Sequence, residues 1–143
     1  MSETAVSYLE LLHTSSIDAR RGYEEALKDA EGRGMAPLFR DMIAVHAENG
    51  DELAASLRAQ GKTPDNDGSF MSTVHRAIIS FRSLFDGLDA SVLSGLIDGE
   101  QRNVSHYNEA LKEGDLPPAT GAMLVQQRGR LEAAILRMQA AES

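Results

Sequence analysis

Apolar residues return along this chain at intervals of three and four, the spacing that gathers side chains on one face of an α-helix. The first stripe, Ala5, Tyr8, Leu9, Leu12, Ser15 and Ser16, Ala19, Tyr23, Ala26, Leu27 and Ala30, predicts a long helix from Glu3 to about Glu31. Gly32 and Gly34 end it, and Pro37 falls where the opening turn of a new helix tolerates proline. The second stripe, Leu38, Phe39, Met42, Ile43, His46, Gly50, Leu53 and Leu57, predicts a helix from about Ala36 to Gln60, stopped by Gly61. Lys62 to Gly68 is all turn-forming and polar, and reads as the longest loop. A shorter, strongly amphipathic helix is predicted over Ser69–Phe85, with Ser69 as N-cap and Phe70, Val74, Ile78, Phe81 and Phe85 on one face. The next begins near Asp89, also a good N-cap, and continues to about Glu113 before Gly114. After Leu116-Pro117-Pro118 a last helix carries Leu124, Gln127, Leu131, Ala134, Ile135 and Met138 inward. No stretch alternates as a half-buried strand does, so the fold class is all-α.

Short connections make neighbouring helices antiparallel. At about 1.5 Å per residue, Ser69–Phe85 rises roughly 25 Å, enough to carry the chain from one end of a bundle to the other. With that crossover set aside, the four long helices run up, down, down, up: a ferritin-like four-helix bundle with an additional crossover helix, filling residues 1–143 as a single domain.

One position breaks the pattern. Within Leu93–Leu111 the apolar stripe is interrupted by Glu100, with Asn103 one turn further on. A carboxylate there costs several kcal/mol unless it meets a donor, a cation, a metal or water, or keeps its proton. Counting outward from the hairpin turns sets Gly50 opposite Ser16, His46 opposite Arg20, and Glu100 opposite Leu131 and Glu132, all near mid-helix. Gly22, Gly50, Gly99 and Gly129 lie at the same height, each costing about 1 kcal/mol of helix stability against alanine, which suggests close approach of backbones or room for a guest. A polar layer is thus expected at the waist: Ser16, Asp18, Tyr23, His46, Asn49, Glu100, Asn103, Gln127 and Glu132.

Composition narrows the chemistry. The chain has 143 residues and no cysteine, which removes disulfides and thiolate ligands, so any metal must be held by carboxylate and imidazole, a set that suits iron, manganese or zinc. A net charge of -8 argues against nucleic acid and anionic membranes as partners, and no apolar run reaches the roughly 20 residues of a membrane span. A cytoplasmic protein is expected. No nucleophile motif or phosphate-cradling loop is present; Gly32-Arg33-Gly34 is a helix hairpin.

The order of Asp18-Ala-Arg-Arg-Gly-Tyr23, Thr73-Val-His-Arg-Ala77, the run from Asp98 to Leu111 and then Leu116-Pro117 resembles a bacterial ferritin-like four-helix-bundle family of unknown function. The resemblance rests on Gly22, Tyr23, His75, Arg76, Gly99, Glu100, Tyr107, Leu116 and Pro117, spans nearly the whole chain, and implies a fold without an activity. The wider di-iron superfamily of that architecture takes four carboxylates and two histidines, with Glu-x-x-His in each hairpin. Here Ile43-Ala-Val-His46 keeps the histidine without the acid, and Glu132-Ala-Ala-Ile135 the acid without the histidine. A single ion held by His46 and Glu100, with Glu132 or Asp18, is what remains of that site.

Three readings follow. One is a non-catalytic bundle acting through self-association, as a homodimer, or through a protein partner, with a stress response as one setting. A second is a degenerate ferritin-like protein binding one iron, manganese or zinc ion. The third is a small-ligand carrier using the glycine-lined waist. In the bland account Glu100 pairs with Gln127, Arg128 or His46, Asp18 with Arg21, Glu132 with Arg128, the Glu24-Glu25 and Asp51-Glu52 runs are solvated, and His13 and His106 face solvent.

Overall fold

The computed structural model describes residues 1–30, 35–64 and 91–142. It holds four helices, α1 (Glu3–Ala30), α2 (Ala36–Ala59), α3 (Ser91–Glu113) and α4 (Pro118–Glu142), and no strand among the described residues. The predicted crossover helix, its Ser69 cap, His75, Arg76 and the Asp89 cap lie outside them.

Local chemistry sets the helix ends. Ser2 Oγ accepts the Ala5 amide at 3.1 Å and so caps α1. Pro37 sits in the first turn of α2, and Gly61, with φ +75°, turns the chain out of it while the Lys62 amide bonds the Leu57 carbonyl at 3.0 Å. After α3, a side chain at position 114 would run into the carbonyl oxygen of Ala110, and the left-handed residue is Asp115, with φ 52°. Here glycine answers a close approach rather than a positive φ.

α1 packs mainly on α2 and α3 mainly on α4, with lighter contacts closing the ring between α1 and α3 and between α2 and α4. Two apolar clusters define the directions. One joins Tyr23 and Ala26 late in α1, Phe39 and Met42 early in α2, Leu93, Leu96 and Ile97 early in α3, and Ala134, Ile135 and Met138 late in α4. The other joins Val6, Leu9 and Leu12 early in α1, Leu53 and Leu57 late in α2, Tyr107 and Ala110 late in α3, and Leu124 and Leu131 in α4. So α1 and α2 are antiparallel, α3 and α4 are antiparallel, and α2 and α3 point the same way. Each fully buried leucine contributes about 1.5–3 kcal/mol, and Val104 of α3 packs against both clusters.

The helices differ in how far they are enclosed. No residue from Leu12 to Tyr23 of α1 is exposed, whereas α4 shows Val125 at 48% and Leu136 at 67%. The apolar positions of α4 therefore fall on two opposite faces, only one of which meets the core.

Candidate functional site

Glu100 enters the waist from the middle of α3 and is 3% exposed. Its Oε1 takes the Tyr23 hydroxyl from α1 at 3.1 Å and lies 2.9 Å from Nε2 of His46 on α2. The rings of Tyr23 and His46 stack, 5.9 Å between centroids and 20° between planes, so each holds the other's rotamer. The second oxygen, Oε2, is buried with no hydrogen-bond partner. One acid from α3 thus ties both helices of the α1–α2 hairpin while half of its accepting capacity stays unspent. Burial first, and the adjacent Glu100 carboxylate next, hold the Tyr23 hydroxyl well above the ordinary tyrosine range, so it donates and does not ionise.

A second polar cluster joins α2, α3 and α4. The Tyr107 hydroxyl donates to Gln127 Oε1 at 2.8 Å, and Gln127 Nε2 donates to Glu52 Oε1 at 3.1 Å. Arg130 grips Glu52 with both terminal nitrogens, at 2.7 and 3.1 Å, and donates to Asn49 Oδ1 at 2.9 Å. Hydrogen bonding from Arg130 lowers the Glu52 carboxyl below the usual range despite its partial burial, and the same contact raises the Arg130 guanidinium. Burial raises the Tyr107 hydroxyl. The guanidinium is charged at every relevant pH, so this cluster carries a permanent cation.

The expected layer is thus split in two. His46 and Glu100 do come together, and Gly50 does face Ser16, whose Cβ would stand 3.5 Å from a side chain placed there. Glu132 stands apart: its side chain is 57% exposed and lies 3.6 Å from Arg128 on its own helix. Asp18 is half-buried, its carboxyl raised by burial against the lowering effect of Arg21. Among the described residues no three His, Asp or Glu side chains gather as a metal would require. Two donors fall short of the three or four protein ligands customary for a bound ion, and Oε1 of Glu100 is already shared between two partners.

Of the bland alternatives for Glu100 the structure shows His46, joined by Tyr23, while Gln127 turns to Tyr107 and Glu52. His13 is 2% exposed, although Glu10 and Leu11 of the same turn are exposed. Gly99 and Gly129 do not face a guest: a side chain at 99 would meet only the tip of Arg102, and one at 129 would meet open space. The cavity bordered by Ser16, His46, Asn103 and Tyr107 measures about 10 Å³, room for one water at most. Sequence reasoning missed Arg130 and Glu52 as network members; Arg130, one turn from Gln127 at i+3, was the available signal.

A family model described as a domain of unknown function, DUF2383, matches residues 4–113. The chain belongs to that family. The matched part of DUF2383 takes in Tyr23, His46 and Glu100 and ends before α4, whose Gln127 and Arg130 complete the second cluster. No curated protein matches the chain. No described helix is long and apolar enough to cross a membrane.

Proposed function

We propose that this protein is a non-catalytic bundle of ferritin-like arrangement, one domain over residues 1–143, that acts through its surface by self-association or by binding a partner protein. The observation that carries this reading is the enclosure of Glu100. An acid that is 3% exposed and tied to His46 and Tyr23, where the cavity on the His46 side holds one water at most, is beyond the reach of a substrate. Its work is to fix helix register: the Oε1 contacts form only when α1, α2 and α3 stand at one relative height, which apolar packing alone does not enforce. The directions of α1 to α4 support the up, down, down, up order, and the two hairpins then need a crossover between α2 and α3.

A second reading, one iron, manganese or zinc ion at His46 and Glu100, is supported by the unpartnered Oε2 of Glu100. Elemental analysis of protein purified without a histidine tag separates the two. The first reading expects no stoichiometric metal and an unfolding midpoint that does not move when iron, manganese or zinc is added. One equivalent of metal that is lost in Glu100→Gln would replace it with the second.

A further inference from the structure

We infer that α4 is the self-association surface, pairing antiparallel with α4 of a second copy about a two-fold axis. This deepens the reading above and rests on it. Val125, Gly129, Ala133 and Leu136 are all exposed and, at about 100° per residue, share one sector of about 80° on the side away from the core. On α1 the exposed large apolar side chain is Leu11, at 45%, and no residue from Leu12 to Tyr23 is exposed.

The order of side chains along this face says what covers it. Read from either end the stripe is large, small, small, large. An antiparallel copy centred between Arg130 and Leu131 therefore sets Val125 against the partner's Leu136 and Gly129 one residue away from the partner's Ala133. The small pair at the centre admits close approach of the two backbones, since a side chain at 129 would meet nothing of its own subunit. The large residues close each end. A two-fold interface requires one patch to fit itself, and a palindromic stripe does so.

Charge agrees with the same axis. Arg128 and Glu132 flank the stripe on one side, 3.6 Å apart within the chain, and Arg128 also donates to Asn108 at 2.8 Å. In an antiparallel pair that flank faces its own copy, so Arg128 meets the partner's Glu132 and Glu132 the partner's Arg128. On the other flank Arg130 is drawn away by Glu48 and Glu52, which removes the like-charge contact it would otherwise make near the axis. Beside Leu136 lies an apolar groove of about 420 Å³ bordered by Gln101, Val104, Glu132, Ile135 and Leu136. The partner's Val125 is the side chain opposite it.

The absence of cysteine supplies a clean test in the 143-residue chain. Val125→Cys and Leu136→Cys are made separately and oxidised alone and as a mixture. In the antiparallel pair each introduced thiol stands about 16 Å along the axis from its own copy, so cross-linked dimer forms in the mixture and not in either variant alone. Sedimentation velocity of the unmodified chain should give twice the chain mass. Leu136→Glu should give the single-chain mass with an unchanged far-ultraviolet spectrum, because the position is exposed. Arg128→Glu should raise the dissociation constant at least tenfold, and Arg128→Glu with Glu132→Arg should recover it. Self-cross-linking of each single variant would replace the arrangement with a parallel one, and a monomeric unmodified chain would overturn the inference. Neither outcome touches the metal analysis, so failure here is distinct from failure of the proposed function; a monomer with no metal leaves a protein partner as the agent.

Discussion

The two polar clusters of the waist solve the same problem in opposite ways. Tyr23, His46 and Glu100 are sealed, contain no permanent cation and leave one carboxylate oxygen without a partner. Glu52, Gln127, Tyr107 and Arg130 open to the surface through Arg130, whose side chain is 22% exposed, and a bidentate ion pair settles the acid there. A buried acid with only neutral or titratable donors is an expense in stability that gives specificity, whereas an acid gripped by arginine at the rim is close to neutral in cost and tolerant of change. The sealed cluster is therefore the fragile one.

The strongest test of that contrast is His46→Leu. It leaves the Glu100 carboxylate buried against a single hydroxyl, and a loss of about 3–5 kcal/mol is expected in urea unfolding. Replacing all three polar groups together, as Tyr23→Phe, His46→Leu and Glu100→Leu, should reverse the sign and give a bundle about 1–4 kcal/mol more stable than the original. If the triple variant is less stable than the original, the cluster contributes net stability and the contrast fails.

Arg130→Met at the open cluster should cost less, about 1–3 kcal/mol, chiefly by stranding Asn49 Oδ1 and the Glu52 carboxylate. Salt sharpens the comparison. Raising sodium chloride to about 1 M, where the screening length falls to about 3 Å, should shrink the Arg130→Met effect and leave the His46→Leu effect unchanged, as read from paired unfolding curves.

The smallest effect is in acid. The Glu52 carboxyl is held below its ordinary value of 4.5, so the native state resists its protonation; the stabilisation is complete above that value and is lost as pH falls through the lowered one. Glu52→Gln should therefore flatten the loss of stability between about pH 5 and pH 3. Asp18 has the opposite sign. Its carboxyl is raised by burial, so protonation favours the fold as pH falls, and Asp18→Asn should be relatively more stable at neutral pH than the parent chain. Thermal melts across that window read both.

The sequence alone determined the helices, because a 3.6-residue apolar period is a local property and Gly61, Pro37 and Gly114 punctuate it without tertiary help. It also marked Glu100 as an acid in an apolar stripe and put both Glu100 and His46 near mid-helix, by counting residues outward from the short turn of each hairpin. What the sequence left open is the sideways direction of each residue. Glu132 lies one residue beyond Leu131, which is 1% exposed, yet that step of about 100° turns it out to water. Likewise Gln127 chose Tyr107 over Glu100, and the pairs left to right around the ring decided which acid met an arginine and which met a histidine. Azimuth depends on how four cylinders pack against one another, and only the folded bundle fixes it.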